Sequence, residues 1–281
     1  MNQLGIIGYP LSHSISPEFQ QAALDHHKIK AKFHRWEIKI DELNSFFETI
    51  QDANFVGASV TIPYKEQFLD LVDKVSDSAN LIGAINCIVN TNNQLVGHNT
   101  DGSGFIRALK TKHGFNPHGK KVLLIGAGGA AKAIAYSLVQ ENIKEITIAN
   151  RTVSRGDELA QKLKSITPKI KSVKLERQSL IKPLNDVDLI VNTTSIGMKN
   201  SLNPEHSPIP VDLIPPNTVV NDIVYNPIET PLIKAAKMKN AFTIGGLDML
   251  VYQGVEAFEL WTGKHAPETI MYDAARKALG L

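Results

Sequence analysis

Residues 121–131 read Lys-Val-Leu-Leu-Ile-Gly-Ala-Gly-Gly-Ala-Ala, and this stretch decides the fold of the second half of the chain. Its first five residues form a short, mostly apolar run of strand length. The glycines that follow lead directly into residues 129–140, whose apolar positions recur at helical spacing. A strand that passes through glycines into a helix is the first half of a β-α-β unit. The stretch therefore predicts an α/β fold.

The same alternation of apolar runs and amphipathic stretches continues along the chain. Strands are predicted at 121–125, 145–149, 173–175, 189–193 and 219–224, and helices at 129–140 and 154–164. Repeated strand–helix alternation is typical of a Rossmann-like, doubly wound parallel sheet.

The first hundred residues and the C-terminus show a less regular pattern. Strands are predicted at 3–8, 33–38, 55–61, 84–90 and 94–96, and helices at 17–28, 41–50, 64–72, 247–262 and 267–279. Ser16 and Asp41 stand where helix N-caps are expected. Residues 99–104 are rich in turn formers and predict a break between domains.

Composition excludes several classes of protein. The 281-residue chain has 30 Lys and Arg against 28 Asp and Glu, a net charge of +2, and its cations are scattered, so no nucleic-acid partner is expected. No apolar run approaches the ~18–20 residues that span a bilayer, so no membrane partner is expected. A single cysteine, Cys87, and no visible secretory signal predict a cytoplasmic location. The nine histidines show no metal-ligand spacing, so no metal is expected.

The glycines of the opening stretch match the pattern G-x-G-x-x-G/A, from Gly126 to Ala131. Gly126 permits a tight turn, Gly128 lets the backbone approach a pyrophosphate, and Ala131 allows close packing of helix and strand. The N–H groups at the helix start favour an anion. The motif predicts a dinucleotide site, and the alternative is a turn that serves helix packing alone.

The residues after the second strand of this unit indicate which dinucleotide is bound. Proteins that bind NAD carry Asp or Glu there for the ribose. This chain instead has Asn150, Arg151, Thr152 and Arg155. Guanidinium groups and hydroxyls attract the 2′-phosphate that a carboxylate would repel, so the segment favours NADP. The alternative is a solvated helix start with surface arginines.

Three polar segments of the first hundred residues carry candidate chemistry. The serine-rich segment 12–17 precedes a predicted helix and offers either an anion site or a simple N-cap. Lys65 follows Pro63 in a predicted first helical turn, where a cation opposes the helix dipole. Asp101 lies in the turn-rich segment. From spacing alone, each segment could equally serve only as a helix cap, an exposed lysine or a turn.

Nine segments taken together are far more specific than any one of them. They are 8–17 (GYPLSHSISP), 60–66 (VTIPYKE), 83–86 (GAIN), 99–102 (NTDG), 126–130 (GAGGA), 150–152 (NRT), 192–197 (NTTSIG), 222–227 (DIVYNP) and 246–253 (GLDMLVYQ). In this order they resemble the shikimate dehydrogenase family nearly end to end. The resemblance implies NADP-dependent, reversible reduction of 3-dehydroshikimate to shikimate, a step of aromatic amino-acid (chorismate) biosynthesis.

The resemblance also implies roles for individual residues. Lys65 and Asp101 are the implied catalytic acid–base pair. Implied substrate contacts are Ser14, Ser16, Ser59, Thr61, Lys65, Asn86, Asp101, Tyr225 and Gln253, with Ser14 and Ser16 at the substrate carboxylate. Implied NADP contacts are Gly126, Ala127, Gly128, Gly129, Ala130, Asn150, Arg151, Thr152, Arg155, Thr193, Met198, Ile223 and Gly246.

These patterns lead us to expect two domains. An N-terminal α/β substrate-binding catalytic domain is expected at 1–103, completed by C-terminal helices within 240–281. A Rossmann-like NADP-binding domain is expected at 104–239, with a cleft between the two. The expected assembly is a monomer or a homodimer.

Two departures from the family pattern concern the substrate side. Ser59 stands where the family usually has Asn, which replaces an acceptor and an NH₂ group by one hydroxyl. Cys87 stands where Thr is common and is predicted to be a buried, apolar cysteine.

Two other functions stay open. One is a quinate/shikimate dehydrogenase that uses NAD, against which Arg151 and Arg155 argue. The other is a non-catalytic, NADP-sensing regulator, against which the retention of both Lys65 and Asp101 argues.

Overall fold

The chain divides into two compact units. The computed structural model describes residues 1–12, 14–50, 54–167 and 169–281, so His13 of the serine-rich segment lies outside the described residues. Unit 1 comprises Met1–Gly104 and Val251–Leu281, and unit 2 comprises Phe105–Leu250. The described residues form two six-stranded sheets.

The described residues form the following strands and helices. The strands are β1 (Asn2–Gly8), β2 (Ala31–Glu37), β3 (Phe55–Val60), β4 (Lys74–Val75), β5 (Cys87–Thr91), β6 (Gln94–His98), β7 (Lys121–Ile125), β8 (Glu145–Asn150), β9 (Ile170–Lys174), β10 (Leu189–Asn192), β11 (Val219–Asp222) and β12 (Phe242–Ile244). The helices are α1 (Ser16–His26), α2 (Leu43–Thr49), α3 (Asp77–Ile82), α4 (Asp101–Arg107), α5 (Gly129–Gln140), α6 (Val153–Leu163), α7 (Arg177–Leu184), α8 (Pro231–Met238), α9 (Leu247–Thr262) and α10 (Glu268–Ala278).

The sheet of unit 2 is parallel throughout the described pairings. Its order is β12-β11-β10-β7-β8-β9, which is the order of a Rossmann sheet with its crossover between β7 and β10. The central strands are buried on both faces, which is why Leu123 and Ile190 belong to near-continuous apolar runs. The predicted doubly wound parallel sheet is confirmed.

The sheet of unit 1 is mixed. Its order is β2-β1-β3-β5-β6-β4. Strand β1 pairs in parallel with β2 and β3, whereas β5 runs antiparallel to both β3 and β6. A core that includes Ile7, Val60, Tyr64, Phe68 and Ile88 packs within this unit. Among the described residues, no helix is long and apolar enough to cross a membrane.

The helix predicted at 64–72 does not form. The chain makes a turn and then a short 3₁₀ helix, Gln67–Asp70, before β4 and α3. The reason is a long-range hydrogen bond, because the Ile85 N–H donates to the Lys65 carbonyl oxygen at 2.7 Å. That oxygen is therefore engaged by the chain entering β5, and burial of Tyr64 and Phe68 sets the turn.

Two predicted helix signals act differently from expectation. Helix α1 begins at Ser16 itself, and the residue before it, Ile15, makes no side-chain cap. Asp41 lies within a 3₁₀ turn, Ile40–Glu42, instead of capping α2. The turn formers at 99–104 start helix α4, because the Asn99 side-chain oxygen accepts the Asp101 N–H at 3.1 Å, and unit 1 passes into unit 2 after Gly104, within this helix.

Unit 2 contains elements that the sequence patterns did not indicate. Helix α8 has a clear local signal, since the Thr230 hydroxyl accepts from the Ile233 N–H at 3.2 Å ahead of Pro231. Strand β12 pairs with β11, with Phe242 opposite Val219. Residues 240–250, expected to belong with the C-terminal helices, are therefore part of unit 2.

Candidate active site

Lys65 lies in the turn after β3, and the segment that leads into β5 holds its backbone. Its carbonyl oxygen accepts the hydrogen bond from Ile85 described above. The Lys65 side chain is only 17 % exposed. A lysine in this setting presents its ammonium group from a backbone that this hydrogen bond keeps in place.

Asp101 contacts Lys65, although the two residues are 36 positions apart in the sequence. The distance from Lys65 Nζ to Asp101 Oδ2 is 2.5 Å, and the Asp101 side chain is 6 % exposed. Asp101 is the first residue of α4, whose start is set by Asn99. The structure thus brings together the two residues that the family resemblance implies as the acid–base pair.

Two side-chain amides extend this pair within unit 1. Asn86 Nδ2 lies 3.0 Å from Asp101 Oδ1 and 3.2 Å from Gln253 Oε1. Asn86 and Gln253 are both buried, as is Thr100, which lies between them. Lysine, carboxylate and two amides therefore form one connected hydrogen-bonded cluster, whose groups can donate to and accept from hydroxyls of a small polar ligand.

The other predicted substrate residues occupy separate positions. Ser16 is buried at the start of α1, and its backbone nitrogen lies 3.4 Å from the hydroxyl oxygen of the half-buried Ser14. Ser59 is buried in β3, opposite Cys87 in β5, and Thr61 follows the end of that strand. Tyr225 belongs to unit 2, three residues beyond β11.

Cys87 is fully buried, as predicted. Burial is the main cause that raises the pKa of its thiol, so the group stays protonated. This agrees with an apolar, unreactive cysteine.

The glycine-rich turn joins β7 to α5 in unit 2. Gly126 has a φ of 111°, and a Cβ built there would lie 2.4 Å from Thr193 Oγ1. Gly128 is the N-cap of α5, and a Cβ there would meet nothing within 4 Å. The first glycine is required by the fold, whereas the second leaves open space at a helix N-terminus, where backbone N–H groups favour an anion. Ala127 is buried, and Gly129 and Ala130 are half-buried in the first turn of α5.

The segment after β8 is exposed. Arg151, Thr152 and Arg155 all face solvent, and Asn150 Nδ2 donates to the Thr152 carbonyl oxygen at 2.8 Å. Within the part of the chain that is described, neither guanidinium forms an ion pair. Both cations are therefore available to an external phosphate.

The remaining predicted cofactor residues lie in the loops after the unit 2 strands. The Thr193 hydroxyl donates to the Ile125 carbonyl oxygen at 2.6 Å, and Met198 is half-buried. A Cβ on Gly246 would lie 2.1 Å from the Ile223 carbonyl oxygen, so only glycine permits this close approach. For the described residues, no group of three His, Cys, Asp or Glu is placed to hold a metal ion.

Two features of the structure escaped prediction from sequence. Asn99 and Thr100 serve the cluster around Asp101, although a turn was the only local signal at these positions. In unit 2, Asp222 is fully buried and accepts from Asn192 Nδ2 at 2.9 Å and from Thr230 Oγ1 at 2.6 Å. Its burial could not be foreseen from spacing alone.

Asp222 is expected to make stability depend on pH. Burial raises the pKa of Asp222 to about 6, against the opposing effect of its hydrogen bonds. Because the folded state then holds a proton that the unfolded state has lost, the Asp222 contribution to the free energy of unfolding falls by roughly 3 kcal/mol between about pH 4 and pH 6.

Urea unfolding of the whole protein across this pH range, in wild type and Asp222→Asn, measures the effect. Relative to the wild type, the variant should gain stability as the pH rises from 4 to 6. Identical pH dependence in the two proteins would contradict the assignment.

The fold is that of a two-domain α/β protein, with one Rossmann-type unit and a second α/β unit built on a mixed sheet. Family models for the shikimate dehydrogenase substrate binding domain, for shikimate / quinate 5-dehydrogenase and for the shikimate 5′-dehydrogenase C-terminal domain match residues 6–88, 108–206 and 246–276. A curated shikimate dehydrogenase (NADP(+)) of Methanopyrus kandleri is 39% identical over 280 residues, 99% of this chain and 96% of that protein. The chain belongs to the shikimate dehydrogenase family.

Solved structures agree with this membership. The crystal structure of a shikimate dehydrogenase in complex with NADP+ matches with a TM-score of 0.91 and 34% identity, covering 99% of this chain and 96% of that chain. The shikimate 5-dehydrogenase of Thermus thermophilus in complex with NADP(H) and shikimate matches with a TM-score of 0.88 and 34% identity, covering 99% of this chain and 100% of that chain.

Proposed function

We propose that this chain is an NADP-dependent shikimate dehydrogenase, which reversibly reduces 3-dehydroshikimate to shikimate. The observation that carries the proposal is the contact between Lys65 and Asp101 in a buried cluster of amides. Family membership supports the substrate and the place in chorismate biosynthesis. Unit 1 would bind the substrate and unit 2 the cofactor.

Reduction of a ketone requires a hydride at the carbonyl carbon and a proton at its oxygen. Bound NADPH supplies the hydride. The Lys65 ammonium stabilises the negative charge that develops on the oxygen and donates the proton that makes the alcohol. In the oxidation direction, Lys65 accepts that proton. One ketone, one NADPH and one proton thus give one alcohol and one NADP+.

Asp101 acts on the same proton transfer. Its Oδ2 atom accepts from Lys65 Nζ, so it keeps the ammonium group in one place. A fixed donor needs no rearrangement when charge develops on the substrate. Asp101 also offers an acceptor to a substrate hydroxyl.

The other unit 1 groups would bind and orient the ring. The Ser14 and Ser16 hydroxyls would hold the substrate carboxylate by charge-assisted hydrogen bonds. Hydroxyl and amide groups from Ser59, Thr61, Asn86 and Gln253 would bind the ring hydroxyls, and Tyr225 would lie near the substrate carboxylate.

The described residues of unit 2 fit NADP. The space at Gly128 admits a pyrophosphate, and the N–H groups at the start of α5 can donate to it. Arg151 and Arg155 would bind the 2′-phosphate, with Asn150 and Thr152 beside the ribose. Thr193, Met198, Ile223 and Gly246 would line the nicotinamide end.

A substrate-and-cofactor panel tests the proposal. Purified protein is mixed with shikimate or quinate, and with NADP+ or NAD+, and nicotinamide absorbance is followed. The highest kcat/KM is expected for shikimate with NADP+. A clear preference for NAD+ or for quinate would overturn the cofactor or the substrate assignment, and no turnover of any pair would favour a regulator.

Replacing both arginines tests cofactor choice separately. Arg151→Ala/Arg155→Ala is expected to raise KM for NADP+ by roughly 10–100-fold, since two charge-assisted contacts to phosphate are lost. KM for NAD+ should not rise. Arg177→Ala is the matched control, because Arg177 is an exposed unit 2 arginine that pairs with Asp212. A normal KM for NADP+ in the double variant would contradict the assignment.

We also propose a cytoplasmic monomer or homodimer. The single buried cysteine agrees with a reducing compartment. Light scattering on the purified protein measures the assembly, and fractionation of cells measures the location.

A further inference from the structure

Thr100 is the point where the segments of the proposed site meet. Its side chain is fully buried. Its N–H donates to Asn86 Oδ1 at 2.7 Å, and its hydroxyl oxygen lies 2.9 Å from Asn86 Nδ2. The hydroxyl also donates to the Gln253 carbonyl oxygen, at 3.0 Å. One residue thus joins the segment before β5 to α9.

These contacts decide which way the Asn86 amide points. A backbone N–H can only donate, so the Asn86 atom facing the Thr100 N–H must be the carbonyl oxygen. The NH₂ end of Asn86 is then directed at Asp101 Oδ1, at 3.0 Å. The opposite orientation would place the amide oxygen against the Asp101 carboxylate.

The Thr100 hydroxyl also determines which acceptors the two hydrogens of the Asn86 NH₂ group can reach. The Asn86 NH₂ group has two hydrogens and three nearby acceptors, namely Thr100 Oγ1 at 2.9 Å, Asp101 Oδ1 at 3.0 Å and Gln253 Oε1 at 3.2 Å. With one hydrogen held by Thr100, the other is directed at Asp101 and Gln253. Loss of the hydroxyl would let the first hydrogen turn to Gln253 Oε1, which draws the amide away from Asp101, and would leave the Gln253 carbonyl oxygen without this donor.

We propose that Thr100 is a positioning residue whose backbone N–H orients the Asn86 amide and whose hydroxyl keeps that amide beside the Asp101 carboxylate, which pairs with Lys65. The proposal rests on the proposed function for the reaction, and it adds a residue to which the family resemblance assigns no contact with substrate or cofactor. Thr100 acts on the chemistry only through Asn86, Asp101 and Gln253.

Three variants test the proposal. Thr100→Val removes the hydroxyl at nearly constant shape, and Thr100→Ser restores it. Thr218→Val is the matched control, because Thr218 is a buried unit 2 threonine whose hydroxyl donates to the Val187 carbonyl oxygen at 3.0 Å. Circular dichroism and thermal unfolding are recorded for every protein, so that the folded fraction is known before kinetics are compared.

Thr100→Val is expected to lower kcat/KM for shikimate about tenfold or more, with both a lower kcat and a higher KM for shikimate. A purely structural defect would lower only the folded fraction and leave that KM unchanged. Thr100→Ser should recover most of the loss, and Thr218→Val should show wild-type kinetics. Wild-type kinetics in Thr100→Val, or no recovery in folded Thr100→Ser, would overturn the proposal.

Crystal structures of the wild type and both Thr100 variants give a readout that does not depend on turnover. The distance from Asn86 Nδ2 to Asp101 Oδ1 should be unchanged in Thr100→Ser and longer in Thr100→Val, where only the backbone N–H of residue 100 still holds the amide. An unchanged separation in Thr100→Val would overturn the positioning role. Absence of shikimate turnover in the wild type would instead refute the proposed function, and the crystallographic result would still decide the role of Thr100.

Discussion

Lys65→Met is expected to lower kcat for shikimate oxidation by ~10²–10⁴-fold, the usual contribution of a well-placed acid–base group. Methionine keeps most of the length and apolar volume of the side chain but has no proton to donate or accept. The remaining groups of the cluster would still bind a ring, so KM for shikimate should change much less than kcat. Initial rates with saturating NADP+ measure both constants.

Two comparisons make this result specific. Lys74→Met removes an exposed lysine of the same unit and should leave kcat unchanged. Direct titration should give wild-type NADP+ affinity for Lys65→Met, because the proposed cofactor contacts lie in unit 2. Near-normal turnover in Lys65→Met would remove Lys65 from the mechanism, and a matching loss of NADP+ affinity would indicate a wider defect.

Alanine substitutions in the glycine-rich turn should separate folding from cofactor binding. Gly126→Ala forces a side chain onto a backbone with a φ of 111° and to within 2.4 Å of the Thr193 hydroxyl oxygen. Strain of this kind costs roughly 1–3 kcal/mol, before the displacement of Thr193 is added. A clear fall in the melting temperature is therefore expected for Gly126→Ala.

Gly128→Ala should behave in the opposite way. Its backbone, with φ −87° and ψ −172°, suits any residue, and its Cβ would meet no protein atom within 4 Å. The melting temperature should therefore match the wild type. KM for NADP+ should rise by about tenfold or more, because the methyl group occupies space that a bound phosphate needs. Normal cofactor binding by Gly128→Ala would place the pyrophosphate elsewhere.

Local signals made the nucleotide-binding half of the fold predictable. The bounds of β7 and α5 agree with the prediction from sequence, since an apolar run, a glycine turn and a helical period all lie within twenty residues. Helix α9 was predicted to its ends for the same reason. These elements are decided by their own residues.

Long-range contacts explain what could not be predicted. The chain around Lys65 does not form a helix because a residue twenty positions away, Ile85, binds the Lys65 carbonyl oxygen. Thr100 carried no signal of its own, because its partners Asn86 and Gln253 lie 14 and 153 positions away. The proposed catalytic pair itself was implied only by the family motifs. The contact between Lys65 and Asp101 could not be predicted from spacing, because the two residues are 36 positions apart.

The hydrogen bonds described for the lysine–carboxylate cluster all close within unit 1, whereas the arginines and glycines proposed for the nucleotide all belong to unit 2. Proton transfer and nucleotide binding are therefore assigned to residues of different units. Substitution of the few exposed side chains after β8 is expected to alter nucleotide preference without changing the hydrogen-bonded cluster of Lys65 and Asp101. Engineering of coenzyme choice in this scaffold can accordingly begin at Arg151 and Arg155.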